Sequence, residues 1–319
     1  MTKIGIALAA YKPHPDYFYE QLLSIRNQEY QNWNCIVTLD SPVKDLRKMP
    51  KLESFLTDSK FIWIENEVRL GAKKNFEKAI QKVLDLHVDA IACADQDDIW
   101  FPNKLAVCLD FYKELPSLSL VHSDMNLLIA DKISYETAWK LEKRGVKNSR
   151  PRHFIVRNMV AGCSMLFDAN LARRFPVIPD GVHYHDHWYP YLAARYGRVV
   201  PIPKALYAYR QHGNNELGVT PFKSLLYVPN NSPGILEKCR ANWNKSYSFA
   251  LSVSQTDGPL PFLDRLVFIY PWDFGIGFLI LGLINLRKDP AIARACFSRA
   301  IGKVLEIPSL IRQQRSVRP

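Results

Sequence analysis

The sequence lacks C-x-x-C pairs, fixed-period repeats, low-complexity tracts and any recognised nucleic-acid-binding motif. Without a C-x-x-C pair, the six cysteines do not indicate a zinc ribbon or a thioredoxin-type site. Several of these cysteines lie inside apolar runs, as reduced and buried thiols do. Because reduced cysteines are typical of intracellular proteins, a cytoplasmic location is predicted.

Segments typical of membrane-spanning or secreted proteins are also scarce. The strongly apolar stretch Phe274–Leu286 contains 13 residues, whereas a helix needs about 20 to span a bilayer. No signal-like cleavage region follows the first apolar run, since Tyr11-Lys12-Pro13 comes directly after it. We therefore expect a first β-strand there and no signal peptide.

Positive charge is in excess, with a net charge of +11. Basic residues are densest over Lys140–Arg157 and from Arg287 to Arg318. A basic surface attracts nucleic acid, anionic lipid or phosphorylated substrates, although a solvated basic face explains the same pattern. Since no nucleic-acid motif accompanies the charge, nucleic acid is not an expected partner.

The apolar stretch Phe274–Leu286 is followed at once by Arg287 and Lys288, and Arg312 and Arg315 come later. Apolar area next to basic charge is typical of an interfacial membrane anchor. This pattern predicts peripheral contact with the inner face of the cell membrane. A helix packed on the rest of the protein is the alternative interpretation.

Strand and helix signals alternate over the first two-thirds of the sequence. Apolar residues recur at helical spacing in Pro15–Asn27 and in Ala72–Leu86. Apolar runs predict strands at Ile4–Ala9, Cys35–Leu39, Phe61–Ile64, Ala90–Ala94 and Leu118–Ser123. This alternation predicts an α/β fold with a mostly parallel sheet covered by helices on both faces. Ligands of such sheets bind at the carboxyl ends of the strands.

The later part of the sequence is less regular. We interpret Asp124–Val160 as a long loop region with one short helix, and Val199–Tyr209 as two short strands split by prolines. Gly162–Phe167 predicts a strand, and His187–Tyr196 a helix. Beyond about residue 218 the pattern becomes helical, so two domains are predicted, 1–218 and 219–319.

Three carboxylates, Asp95, Asp97 and Asp98, follow the apolar strand Ala90–Ala94 directly. Burying unpaired carboxylates is costly, and a divalent cation with oxygen ligands would compensate their charge. Such a cation can also neutralise a departing diphosphate. The alternative is an acidic turn that caps a helix opened by Pro102.

A second polar run, His183-Tyr184-His185-Asp186-His187, has two functional interpretations. Three histidines and a carboxylate can bind zinc or another transition metal. We favour a run that lines a polar acceptor cleft, because no Cys or His lies nearby at a zinc-finger spacing.

The segment Asp95–Leu105 resembles the D-x-D signature and following helix of glycosyltransferase family 2, which has the Rossmann-like GT-A fold. The resemblance runs from Ile4 to about Gly218. Further segments match in the expected order, namely Ala9–Tyr11, Glu65–Gly71 with Asn75, Ala161–Phe167, His185–Trp188 and Tyr209–Asn215. The last of these is similar to a closing motif of the rhamnosyltransferase-like members.

The resemblance implies a role for each matched residue. Asp186 would be the catalytic base, Asp97 would ligate a divalent cation (Mn²⁺ or Mg²⁺), and His212 would be a further metal or phosphate ligand. The implied donor- and nucleotide-binding residues are Ala9, Tyr11, Asp40, Asn66, Arg69, Asn75, Asp95 and Gln96. The implied acceptor-side or supporting residues are Asp98, Trp100, Gly162, Cys163, His185, His187, Trp188 and Arg210.

The implied activity is an inverting transfer of a sugar from a nucleoside-diphosphate donor to a hydroxyl of a saccharide or lipid-linked saccharide, in bacterial surface-polysaccharide assembly. Because Ser41 and Pro42 follow Asp40 where the family often has a second acid, dTDP-rhamnose and a UDP-sugar both remain open as donors. A UDP-hexose transferase on the same fold is one alternative. A non-catalytic protein that binds nucleotides or polyanions is another.

Overall fold

The computed structural model describes Leu46 and residues 1–42, 49–142, 150–212, 234–269, 275–285 and 290–316. Its strands are β1 (Ile4–Ala10), β2 (Trp33–Leu39), β3 (Phe61–Glu65), β4 (Ala90–Ala94), β5 (Ile99–Trp100), β6 (Leu120–Ile129), β7 (Lys132–Thr137), β8 (Met165–Asp168) and β9 (Val199–Gln211). Its helices are α1 (Pro15–Arg26), α2 (Glu53–Leu56), α3 (Ala72–Leu84), α4 (Lys104–Tyr112), α5 (Ala138–Glu142), α6 (Pro151–Val156), α7 (Ala169–Arg174), α8 (His185–Tyr196), α9 (Ile235–Thr256), α10 (Phe262–Phe268), α11 (Ile276–Asn285) and α12 (Pro290–Ser316).

The strands form one sheet in the order β3-β2-β1-β4-β8-β6-β9-β5, and β7 pairs with β6. β1 pairs in parallel with β2 and β4, and β2 pairs in parallel with β3. Side chains alternate between the two faces, so Ala7 and Cys93 pack in the cluster that contains α3, whereas Leu8 and Ala92 pack with α1. The predicted α/β fold, with helices on both faces of the sheet, is confirmed.

The other half of the sheet is mixed and brings a second segment to the end of β4. β8 runs antiparallel to both β4 and β6. Its register pairs Ala92 with Leu166, so the 3₁₀ turn Gly162–Ser164 before β8 lies beside the carboxyl end of β4. The strand predicted at Gly162–Phe167 therefore begins only at Met165. Gly162 and Cys163 of the preceding turn line the cleft instead.

The prediction of a long loop over Asp124–Val160 was wrong. β6 continues to Ile129 and forms a hairpin with β7, through Ala130 and Asp131. Both turn residues have positive φ angles, 46° and 59°, as the common two-residue hairpin turns require. The polar residues Asp124 and Asn126 suggested a loop, but both pair with β9, and Asp124 is buried.

The prediction of two short strands over Val199–Tyr209 was also wrong. β9 is one strand that pairs in parallel with β6. Ser123 is opposite Ile202 but Asp124 is opposite Ala205, so Pro203 falls in an irregularity of the pairing. Proline is tolerated there because a bulge leaves a backbone N–H without a ladder partner.

The C-terminal region is helical, as predicted. α9 packs against α6 and α12, and α11 packs against α12. Trp243 and Phe249 of α9 belong to the same hydrophobic cluster as Trp188 and Tyr191 of α8. The predicted domain boundary at residue 218 lies outside the described residues. Among the helices in the described ranges, none has both the length and the apolar character needed to cross a bilayer.

Gly302 allows α12 to approach α9 closely. A Cβ atom at this position would overlap the backbone carbonyl of Cys239 and lie 2.8 Å from the Cβ of Trp243. Because backbone atoms cannot move aside as a side chain can, we expect Gly302→Ala to lower the free energy of unfolding by about 1–3 kcal/mol. Urea unfolding followed by circular dichroism measures this loss.

The neighbouring variant Ile301→Ala is the control for this prediction. Ile301 is exposed on the same helix, so its truncation should change the free energy of unfolding by less than about 0.5 kcal/mol. Equal stabilities of the two variants would contradict the close packing of α9 and α12.

Candidate active site

A cleft of ≈ 950 Å³ opens at the carboxyl ends of β1 and β4. Its volume is at the upper end of the range typical of small-molecule sites, about 300–1,000 Å³. The predicted site residues that line it are Ala9, Tyr11, Asp40, Arg69, Asn75, Asp95, Gln96, Asp97, Gly162, Cys163, His185, Asp186 and His212. Residues from seven separate segments of the sequence therefore meet in one cleft.

The remaining predicted residues do not line this cleft. They are Asn66, Asp98, Trp100, His187, Trp188 and Arg210. Asn66, Asp98 and Arg210 contact residues that do line it, whereas the two tryptophans are core residues. Trp188 packs against Phe175 and Phe249, and Trp100 packs beside the buried Lys104.

Asp40, at the end of β2, holds the loop that precedes α3. Its carboxylate accepts hydrogen bonds from Asn66 Nδ2 at 2.6 Å and from the backbone N–H groups of Leu70 and Gly71 at 3.1 and 2.8 Å. Asn66 Nδ2 also donates to Asn75 Oδ1 at 2.8 Å. The predicted role of Asp40 in binding the nucleotide base stays a prediction. Its carboxylate also stabilises the conformation of the loop before α3, through the hydrogen bonds from Leu70 and Gly71.

Tyr11 and Arg69 form a flat pair at one side of the cleft. The Arg69 guanidinium lies 4.1 Å from the centre of the Tyr11 ring. The backbone N–H of Tyr11 donates to Gln96 Oε1 at 2.8 Å, which ties the end of β1 to the acidic turn after β4. Planar aromatic and guanidinium groups are the surfaces on which nucleobases stack.

Asp97 and His212 come together across 115 residues of sequence. Asp97 Oδ2 lies 2.9 Å from His212 Nε2. Arg210 fixes this arrangement, since its Nε donates to the Asp97 carbonyl at 2.9 Å and its Nη1 pairs with Asp131 at 2.7 Å. Arg210 also forms an ion pair with Glu20 and is only 3% exposed. This buried arginine thus joins the acidic turn to α1 and to the β6–β7 turn.

The spacing of Asp97 and His212 fits a divalent cation. Two ligand atoms at right angles on a cation, each bonded at 2.0–2.1 Å as for Mg²⁺, lie about 3 Å apart. The observed 2.9 Å between Asp97 Oδ2 and His212 Nε2 matches that separation. In this structure the same 2.9 Å contact is a hydrogen bond or ion pair, which a cation bound between the two atoms would replace.

A second acidic group lies deeper. Ligand atoms of Asp95, Asp98 and Cys163 lie within 4.8 Å of one another. Burial raises the pKa of the Asp98 carboxyl well above its usual range, with a further rise from Asp95 and Asp97. Burial likewise raises the pKa of the Cys163 thiol. A thiol is a poor ligand for Mg²⁺ or Mn²⁺, and Asp97 and His212 stay the predicted metal ligands.

Asp186 lies beside the Gly162–Ser164 turn. A Cβ on Gly162 would lie 3.5 Å from Asp186 Cβ, and the next residue, Cys163, lies beside Asp95. Burial is the main reason that the pKa of the Cys93 thiol is raised, and the negative charges of Asp95 and Asp186 raise it further. Asp95 and Asp186 therefore both lie near the end of β4.

The three histidines of the 183–187 run do not form a metal site. The ring of His185 stacks on Phe76 with 3.8 Å between ring centres. His187 bonds instead to the carbonyl of Phe154 and lies 4.4 Å from the ring of Phe249. Burial lowers the pKa of His185 to about 3 and that of His187 to about 4, so both are neutral at pH 7. In the described part of the chain, this run contributes to no cluster of three metal-ligating groups.

Sequence reasoning missed several residues that line the cleft, among them His14, Tyr17 and Asn158. His14 and Tyr17 stack at 4.2 Å between ring centres, and Tyr17 lies 5.7 Å from the ring of His212. The sequence could have predicted this pair, because residues three apart at the start of α1 lie on the same face of the helix.

The described residues form a GT-A type architecture, with a Rossmann-like half-sheet and an acidic turn after its central strand. Residues 6–174, just over half of the chain, match the family described as glycosyl transferase family 2. The chain belongs to this family.

Two curated relatives are similar to parts of the chain. An uncharacterized glycosyltransferase of Methanocaldococcus jannaschii is 27% identical over 120 residues, which are 38% of this chain and 40% of the relative. A putative colanic acid biosynthesis glycosyl transferase of Escherichia coli K12, WcaA, is 26% identical over 101 residues, 32% of this chain and 35% of the relative. The chain thus spans two fifths or less of the length of these relatives.

Among solved structures, S. aureus TarS 1-349 in complex with UDP-GlcNAc has a TM-score of 0.53 and 12% sequence identity. The likeness covers 98% of this chain and 92% of the TarS chain. At this identity the comparison shows a shared fold, and the fold extends over the C-terminal helices as well.

Proposed function

We propose that the protein is an inverting, metal-dependent glycosyltransferase that moves a sugar from a nucleoside-diphosphate donor to a hydroxyl of a saccharide. The observation that carries the proposal is the convergence of three functional pairs or groups in one cleft. These are the Tyr11–Arg69 pair, the Asp97–His212 pair and the carboxylate of Asp186.

The donor would bind along the carboxyl ends of β1, β2 and β4. The nucleobase would stack on the exposed side of the Tyr11–Arg69 pair, and Asp40 would position the loop that carries Arg69. Asp97 and His212 would hold a divalent cation, Mn²⁺ or Mg²⁺. When bound, this cation neutralises the charge that develops on the departing diphosphate.

Asp186 would act on the acceptor. Its carboxylate would take the proton of the acceptor hydroxyl while that oxygen attacks the anomeric carbon and the bond to the diphosphate breaks. A single displacement from the opposite face inverts the anomeric configuration. No nucleophile of the enzyme takes part in this reaction.

The same proposal includes dTDP-rhamnose or a UDP-sugar as the donor and bacterial surface-polysaccharide assembly as the role. Support for rhamnose comes from the segment that begins at Tyr209, of which residues 213–215 lie outside the described residues. Support for the role comes from WcaA, whose name refers to colanic acid biosynthesis. The acceptor would be a saccharide or a lipid-linked saccharide that is modified in the cytoplasm.

A non-catalytic nucleotide-binding protein is the rival function, and the net charge of +11 favours it. Donor hydrolysis with and without manganese separates the two. Our proposal predicts manganese-dependent release of the nucleoside diphosphate. A binding protein would release none under either condition.

Removal of one member of the base-binding pair should weaken donor affinity. Stacking of a base on one such group is worth about 1–3 kcal/mol, so we expect Arg69→Ala to raise the Kd for the nucleoside diphosphate by about 5- to 100-fold. Isothermal titration calorimetry measures this change. Arg69→Lys keeps the charge but loses the planar group, so it should resemble the Ala variant. An unchanged Kd in both variants would contradict stacking on this pair.

A further inference from the structure

Helix α11 has two faces, and both are apolar. Phe278, Leu281, Gly282 and Asn285 are buried, and Phe297 of α12 lies against Gly282. The opposite side chains are 44–63% exposed and are Ile276, Leu279, Ile280, Leu283 and Ile284. At about 100° per residue these five side chains cover an arc of about 140°. We call them the outer face of α11.

The outer face is unlike an ordinary solvated surface. Single exposed apolar side chains are normal on a protein surface, but a contiguous group of them marks an interaction site. No residue of α11 carries a charge. More exposed apolar residues begin α10, which packs against α11, and these are Phe262 and Leu263.

The charge of the adjoining sequence indicates what covers this face. Residues 287–319 contain eight Lys and Arg against two Asp and Glu. Because Arg299 and Lys303 are buried, the rest of this segment carries a net charge of +4. More than a third of the chain's +11 therefore lies in the segment that follows α11, without its two buried cations. Basic charge next to an apolar helix face is attracted to anionic lipid, in which the apolar face can also be buried.

We propose that the outer face of α11 seats in the interface of an anionic membrane, with the helix lying in the membrane plane. The ten residues of α11 are about 15 Å long, half of the about 30 Å needed to span the hydrocarbon core. A second copy of the chain is a poorer occupant, because pairing through this face would bring two positively charged segments together.

Vesicle flotation of the full chain tests the proposal. We expect binding to vesicles of phosphatidylglycerol and phosphatidylcholine in equal amounts, and much weaker binding to phosphatidylcholine alone. The double variant Ile280→Glu/Leu283→Glu replaces two apolar contacts by charges that anionic lipid repels. Its partitioning should fall by about 100-fold, since each buried Leu or Ile contributes about tenfold or more.

Val177→Glu is the matched control, because Val177 is an apolar residue with similar exposure that lies outside the C-terminal helices. It should float like the wild type. Equal flotation of the wild type and the double variant, or no flotation of the wild type, would overturn the proposal. A shift from dimer to monomer in the double variant, without vesicle binding by the wild type, would instead assign the face to a second copy.

The double variant should still hydrolyse a soluble donor at the wild-type rate, because α11 does not line the cleft. Flotation therefore tests the membrane proposal, and donor hydrolysis tests the proposed enzymatic function separately. Loss of flotation with retained hydrolysis, in the double variant, is the result that the membrane proposal predicts.

Discussion

Asp186→Asn should lower the rate of sugar transfer by about 10²–10⁴-fold, the range typical of the loss of a general base. The acceptor hydroxyl is far too weakly acidic to ionise at neutral pH, so a carboxylate must take its proton as the new bond forms. Asn keeps the size of Asp but lacks the basic oxygen. Donor affinity should therefore stay unchanged, since the donor-binding residues are untouched.

A purely structural role of Asp186 makes a different prediction. Asp186 is in the first turn of α8, where its negative charge stabilises the helix by about 0.3–1 kcal/mol. On that account the Asn variant would melt slightly earlier and still transfer sugar. Steady-state kcat and the melting temperature of the same preparation separate the two roles. Retention of more than about a tenth of the wild-type kcat would exclude Asp186 as the base, and His185 would be examined next.

Asp97→Ala should abolish metal-dependent transfer and leave the protein folded. Stabilisation of a departing diphosphate by a cation is worth several kcal/mol, so the expected loss in kcat is at least about 100-fold. Excess chelator should have the same effect on the wild type, and added manganese should restore the wild type but not the variant. His212→Ala should raise the manganese concentration needed for half-maximal activity.

Asp110→Ala is the control for the loss of a carboxylate. Asp110 is exposed on α4 and pairs only with Lys113 among the ion pairs of the described residues. This variant should keep wild-type activity and manganese dependence. Full activity of the wild type in excess chelator would contradict the metal role of Asp97.

Much of the parallel half of the fold was predictable because each of its strands is a short apolar run. β4 was predicted with its observed bounds, since Ala90–Ala94 is wholly apolar and Asp95 ends it abruptly. The same boundary pointed to the acidic turn, because polar residues at the ends of parallel strands meet at one edge of the sheet. The helix α3 followed from its helical spacing of apolar residues.

The mixed half of the sheet was harder to predict because its strands do not follow an apolar pattern. β6 continues past the predicted strand Leu118–Ser123, and the polar residues Asp124 and Asn126, which pair with β9, made its second half resemble a loop. The prolines of β9 suggested a break, but a register shift in its pairing with β6 accommodates them.

The cleft also contains side chains that meet only through tertiary packing. Phe76 of α3 stacks on His185, and Tyr17 of α1 stacks on His212, although each pair is more than 100 residues apart in sequence. The exposed side of α11 was equally hidden, because a helix that is apolar all round gives no signal for which face is outward.

Proton NMR of donor turnover tests the central claim most directly. The full chain is incubated with Mn²⁺ and with the nucleotide sugar that raises its melting temperature most, as a ligand of the folded state does. Our account predicts release of the nucleoside diphosphate and a first-formed sugar product whose anomeric configuration is opposite to that of the donor. A product with the donor's configuration, or no release of nucleoside diphosphate from any nucleotide sugar that binds, would contradict it.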